Sequence, residues 1–246
     1  QPGPPLALYV HVPWCVRKCP YCDFNSHTAG DDMPRRGYLD ALMTDLEQAA
    51  RHASGRRLET IFLGGGTPSL FSPESIGDLL EGLRTKLAFS DAIEITLEAN
   101  PSSVEAGRFR DYASAGVNRV SLGVQSLIDE DLRALGRLHS AAEALAAIEI
   151  AATTFKRYSF DLIYARPGQT EARWESELSA ALALGPGHLS LYQLTIEPNT
   201  AFSAHPPVLP DADLAWAMQE ACGELLEAAG YRQYEISAWA QPGREC

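Results

Sequence analysis

Ile93-Glu94-Ile95-Thr96-Leu97-Glu98-Ala99-Asn100 alternates apolar and polar residues, and Val120-Ser121-Leu122-Gly123-Val124-Gln125 does the same. A period of two puts Ile93, Ile95 and Leu97 on one face of a strand and Glu94, Thr96, Glu98 and Asn100 on the other. Val120, Leu122 and Val124 likewise oppose Ser121, Gly123 and Gln125. Strands of a doubly wound sheet are buried on both faces and read apolar throughout. A polar face on successive strands suits a barrel whose lumen is a reaction chamber.

One pattern repeats on both sides of these stretches. Strands are predicted at Leu6–Val12, Glu59–Leu63, Ile93–Ala99, Asn118–Val124, Tyr158–Ile163 and His188–Thr195. Helices are predicted over 34–53, 75–87, 102–115, 129–135, 141–153, 171–184 and 211–229. Ser72 is a fair N-cap with Pro73 at the first helical position, and Gly116 and Gly230 are stop signals. Residues 1–5 are a Pro/Gly-rich extended lead-in, and 13–33 a loop. Repeated βα units imply parallel strands with right-handed crossovers. The expected fold is α/β, an incomplete (β/α)6 barrel of parallel strands with outer helices, filling residues 1–246 without an internal linker.

The chain has 246 residues, 46% hydrophobic and 21% charged, which suits a folded globular protein. Lys and Arg number 20 against 32 Asp and Glu, a formal net charge of -12. A phosphate backbone would be repelled, which argues against nucleic acid. No polybasic patch, transmembrane-length apolar run or secretory leader is visible, so the expected location is the cytoplasm. The first residue is Gln1, so the native start is expected upstream.

Five cysteines stand at 15, 19, 22, 222 and 246, an odd and clustered set that is no disulfide framework. Cys15, Cys19 and Cys22 are spaced C-x3-C-x2-C. Three thiolates on a short loop can hold three corners of a [4Fe–4S] cube and leave the fourth iron open to a small molecule. A structural zinc site is the competing reading, with His11 or His27 as fourth ligand. A thioredoxin-like role for Cys19-Pro20-Tyr21-Cys22 is weaker, because the fold does not read as one.

The motif, in the loop after the first strand, resembles that of the radical S-adenosylmethionine superfamily. The resemblance implies that the open iron binds the amino and carboxylate groups of S-adenosylmethionine, and that reductive cleavage gives a 5′-deoxyadenosyl radical. Gly64-Gly65-Gly66-Thr67-Pro68 ends the second strand, where glycines let a ligand approach the backbone. Glu98, Gln125 and Asp161 lie near predicted strand C-termini, the rim where βα barrels build their sites. Arg137 could pair with a carboxylate as a bidentate fork. By resemblance, Cys15, Cys19 and Cys22 bind the cluster. Tyr9, Tyr21, Gly65, Gly66, Thr67, Glu98, Gln125, Arg137 and Asp161 match positions that contact S-adenosylmethionine, and Thr195 joins them less directly.

The segments Tyr9–Phe24, Gly64–Ser69, Leu97–Pro101, Gly123–Ser126 and Ser190–Pro198 are similar to the oxygen-independent coproporphyrinogen III oxidase group. True oxidases carry a further cysteine two places after the third; here that position is Phe24. The Cys-Asp-Phe form resembles the HemW branch, which implies a haem chaperone that binds haem and hands it to apo-haemoproteins. Oxidation of coproporphyrinogen III, a radical decarboxylation of two propionates, is the alternative, and a structural zinc protein the second. That branch continues into a C-terminal domain, so the 246 residues are expected to be its barrel core without that domain. His11, His27, His139, His188 and His205 are conceivable haem ligands, and Trp14 and Trp174 conceivable porphyrin stackers, though ordinary packing accounts for each. Cys222 reads as a buried structural thiol. A homodimer, and a membrane contact through a haem-receiving partner, are compatible with the sequence without being required by it.

Overall fold

The structure is a computed structural model that describes residues 4–30, 32–53 and 55–246. Most of the lead-in expected over 1–5 lies outside the described residues. In chain order come β1 (Leu6–Val12), β2 (Trp14–Cys15), β3 (His27–Thr28), α1 (Arg35–Ala53), β4 (Leu58–Gly65), α2 (Pro73–Lys86) and β5 (Phe89–Ala99). Next are α3 (Ser103–Ala106), α4 (Phe109–Ala115), β6 (Arg119–Gln125), α5 (Asp129–Ala134), α6 (Ala141–Thr154), β7 (Arg157–Tyr164) and α7 (Glu171–Ala183). Then follow β8 (His188–Gln193), α8 (Ala201–Ala204), α9 (Ala212–Ala228), β9 (Arg232–Gln233) and β10 (Ala238–Ala240).

The described residues pack as two compact units. The first comprises the described residues of 4–18, 24–30, 32–53, 55–99 and 107–120, the second 19–23, 100–106 and 121–246. In the first, β1 pairs parallel with β4, setting His11 opposite Gly64 and Val12 opposite Gly65. In turn β4 pairs parallel with β5, with Leu63 opposite Leu97. Ile61, Leu63, Ile95 and Leu97 are buried, as the alternation requires. The polar face is not left to solvent: Thr96 and Arg119 are buried too, and Arg119 Nη1 donates to Thr96 Oγ1 at 3.2 Å. Ser72 caps α2 by accepting from Ser75 N, with Pro73 at its first turn.

In the second unit β7 pairs parallel with β8, with Asp161 opposite Ser190. Here β10 runs antiparallel to both β8 and β9, a departure from the all-parallel expectation. Strands of two and three residues are too short to show a period in sequence. Other boundaries differ as well, among them the start of β5 at Phe89 and the end of β4 at Gly65. The helix expected over 102–115 breaks into α3 and α4, β8 stops at Gln193 short of Thr195, and β7 runs on to Tyr164. Gly116 ends α4 with a left-handed φ of 114°.

Candidate functional site

Tyr9, Cys15, Gly65, Gly66, Thr67 and Glu98 belong to the first unit, and Cys19, Tyr21, Cys22, Gln125, Arg137 and Asp161 to the second. In the first unit the glycine loop lies flush on the end of β1. Gly65 has a φ of 111°, and a Cβ there would sit 2.5 Å from the His11 ring. A Cβ on Gly66 would sit 2.5 Å from the Trp14 carbonyl oxygen. The close approach is used: Gly66 N donates to Val12 O and Thr67 N to Trp14 O, each at 2.6 Å.

Glu98, one residue before the end of β5, accepts from Gly65 N at 3.0 Å through Oε2. His11 Nε2 lies 2.8 Å from Asn25 O. A carbonyl only accepts, so the ring proton is assigned to Nε2, and Nδ1 accepts from the Tyr9 hydroxyl at 3.0 Å. Partial burial, and then the Glu98 carboxylate, hold the Tyr9 phenol above its ordinary value. Cys15 sits in β2, paired with β3, and its carbonyl accepts from Ala29 N at 2.8 Å. Lys18 Nζ donates to Phe24 O at 2.9 Å and Ser26 O at 3.0 Å, so one lysine ties the two ends of the cysteine loop.

In the second unit Cys22 N donates to Cys19 O at 3.1 Å, which closes a turn and sets the two thiols on it. Arg137, in the loop between α5 and α6, points Nη1 at Cys19 Sγ at 3.4 Å. Its Nη2 donates to Asn100 Oδ1 at 2.8 Å and to Gly123 O at 2.7 Å. Tyr21 packs with Phe202 and Leu209 on the buried trio Leu135, Ile163 and Leu194; burial pushes its phenol well above its ordinary value, against the pull of Arg137. Gln125 is the last residue of β6 and has a left-handed φ of 69°.

Asp161 lies three residues before the end of β7, because that strand is longer than expected; Ser121 Oγ sits 3.5 Å from its Oδ1. Thr195 lies past β8, exposed, and its hydroxyl donates to Glu197 at 2.8 Å. Reading the sequence alone missed Asn100 as an anchor for Arg137 and Lys18 as the tie of the loop. Lys18 stands inside the cysteine motif, but no spacing rule singles it out.

Three features bear on whether these residues fit a cluster and S-adenosylmethionine. Cys15, Cys19 and Cys22 form no disulfide among the described residues. Gly65 and Gly66 seat their loop so closely on His11 and Trp14 that a Cβ at either would clash with the chain itself. Arg137 Nε is buried without a hydrogen-bond partner among the described residues. Among those residues no three His, Cys, Asp or Glu side chains gather where one metal ion could take them all. By the chemistry of the donor set, three thiols that can each take one iron suit a cubane.

The other histidines are mostly occupied. His139 is buried and its Nε2 donates to Val124 O at 3.0 Å. His188 is buried, with Nε2 2.6 Å from the Tyr234 hydroxyl. His27 and His205 are exposed. Trp174 is fully buried against Tyr164, and Trp14 packs edge-on to Tyr38 at 4.7 Å. Burial pushes the Cys222 thiol up to about 12, as befits a structural cysteine.

The Radical SAM superfamily matches residues 9–180. The haem chaperone HemW of Escherichia coli is 50% identical over 99% of this chain and 65% of its own length. The mouse protein named radical S-adenosyl methionine domain-containing protein 1, mitochondrial, is 40% identical over 96% of this chain and 54% of its own. This chain thus spans less than two thirds of these relatives. Among solved structures, the coproporphyrinogen III oxidase HemN of Escherichia coli, described as a radical SAM enzyme, superposes with a TM-score of 0.86. It is 28% identical, over 98% of this chain and 56% of its own. With that match across most of its length, and an α/β fold of mostly parallel strands, the chain belongs to the radical SAM superfamily.

Proposed function

We propose that this chain is the cluster- and S-adenosylmethionine-binding part of a haem chaperone, which binds haem and transfers it to apo-haemoproteins. The observation that carries the reading is 50% identity to HemW across 99% of the chain, against 28% to the oxidase. Phe24 agrees with it: an exposed phenyl ring stands where oxidases carry a further thiol, and it supplies no thiol chemistry.

Cys15, Cys19 and Cys22 would each hold one iron of a [4Fe–4S] cluster and leave one iron open. When bound, the cluster would supply one-electron reduction of the sulfonium of S-adenosylmethionine. The chain's own residues bind and orient. The N–H groups of Gly65, Gly66 and Thr67 already donate to Glu98, Val12 and Trp14, so the loop would meet the methionine amino group through its carbonyl oxygens, with Glu98 bracing it at Gly65 N. Arg137 sets a fixed positive charge beside Cys19 and keeps Nε for a ligand acceptor. Tyr9, Tyr21, Gln125 and Asp161 complete the proposed contact set. Haem is cargo in this reading, and His27 and His205 are the exposed rings among the five histidines considered.

No helix among the described residues is long and apolar enough to cross a membrane. The proposal places the protein in the cytoplasm, with any membrane contact made through the haem-receiving partner. The test is a haem titration of anaerobically reconstituted protein, followed by addition of an apo-haemoprotein. The expected result is saturable haem uptake and transfer, with coproporphyrinogen III left unchanged. Decarboxylation of coproporphyrinogen III with S-adenosylmethionine consumed in step would overturn the reading in favour of the oxidase.

A further inference from the structure

Three successive carbonyls at the end of β6 are each taken by a side chain. Gly123 O accepts from Arg137 Nη2 at 2.7 Å, Val124 O from His139 Nε2 at 3.0 Å, and Gln125 O from Arg166 Nη1 at 3.3 Å. The third is the unusual one, because Gln125 holds a left-handed φ of 69°. A residue with a Cβ stays there only where its surroundings impose it.

The imposing groups are Arg166 and Glu177, whose side chains are each 1% exposed. They meet twice: Arg166 Nη2 donates to Glu177 Oε2, and Nη1 to Oε1 at 3.2 Å. Glu177 Oε1 also accepts from Ser126 Oγ at 2.6 Å and Leu127 N at 2.8 Å. Ser126 Oγ in turn accepts from Ile128 N at 3.1 Å. Asp131 Oδ2 lies 3.1 Å from the same Arg166 Nη2 and 3.5 Å from Arg173 Nη2, which joins a second ion pair to the first. Every residue from Gln125 to Ile128 is thereby tied to one buried pair. Desolvating two charges is costly, and an apolar pair would pack as well, so packing alone does not account for the arrangement.

We propose that Arg166 and Glu177 are positioning residues: the pair fixes the left-handed backbone of Gln125 and so aims its side chain at the bound S-adenosylmethionine. The inference rests on the reading of Gln125 as a cofactor contact. It is tested by a double-mutant cycle of wild type, Gln125→Ala, Glu177→Gln and the double variant. Each is reconstituted anaerobically, and its S-adenosylmethionine affinity is read from the cofactor-induced change in the reduced cluster's EPR signal. Glu177→Gln keeps the shape and removes the charge. It is expected to weaken binding about tenfold in the wild-type background and less than about twofold in the Gln125→Ala background.

Equal losses in both backgrounds, with cluster iron retained, would mean general loosening and would overturn the positioning role. Unchanged affinity in Glu177→Gln would overturn it too. Should Glu177→Gln fail to fold, Ser126→Ala removes one hydrogen bond to Glu177 together with the acceptor of Ile128 N and runs the same cycle, with a smaller loss that again vanishes without Gln125. Absence of any cofactor-induced change in the wild type would overturn the cofactor reading and this inference with it, an outcome distinct from equal losses.

Discussion

A Cβ on Gly66 would lie 2.5 Å from the carbonyl oxygen of Trp14 and 2.8 Å from its nitrogen and carbonyl carbon. Those atoms are backbone, so the strand end itself must shift. Gly66→Ala is expected to cost about 1–3 kcal/mol and to weaken S-adenosylmethionine binding. Chemical denaturation checks the first effect, and an unchanged midpoint would count against the packing described. His139 gives a pH prediction. Burial, and then the Arg137 charge, hold its imidazole down to about 4, against an ordinary 6.5. Between those values the unfolded chain binds a proton that the folded chain refuses. The contribution is therefore full above pH 6.5 and lost as pH falls toward 4, on the order of 2 kcal/mol after screening. Urea midpoints from pH 7 to 4 should fall more steeply for wild type than for His139→Gln; parallel curves would contradict the assignment. At this scale the cysteine spacing and the glycine run were legible because neighbours in sequence carry the chemistry. Arg166 and Glu177 were not, since nothing local marks two residues eleven apart as partners that brace Gln125 across more than forty residues.

Elements follow the same division between local and distant causes. The start of α2 was legible because Ser72 and Pro73 act within one turn, and the end of α4 because Gly116 alone takes its left-handed conformation easily. The break between α3 and α4 was not. Glu105 turns back to accept from Asn100 N at 2.8 Å, and α3 packs on α6 while α4 packs on α2, a tertiary choice that periodicity does not encode. The antiparallel β9 and β10 escaped for want of length. Helix α6 opens on a reciprocal cap: Ser140 Oγ accepts from Glu143 N at 3.2 Å, and Glu143 Oε2 accepts from Ser140 N at 3.0 Å. Ser140→Ala is expected to cost about 1 kcal/mol in urea denaturation. A variant as stable as wild type would show that the cap is redundant.

Across the whole molecule, an excess of twelve negative charges argues against a nucleic-acid partner, and the repeated strand–helix units place the chain among parallel α/β folds. Division into two compact units was not legible, because each unit is assembled from separate stretches of chain. The central claim is that Cys15, Cys19 and Cys22 carry a cluster with one open iron. Iron and sulfide analysis with EPR on anaerobically reconstituted, dithionite-reduced protein, with and without S-adenosylmethionine, tests it most directly. The account predicts a cubane's complement of iron and sulfide and a signal that shifts when the cofactor is added. A colourless protein, or a cubane signal indifferent to the cofactor, would contradict it.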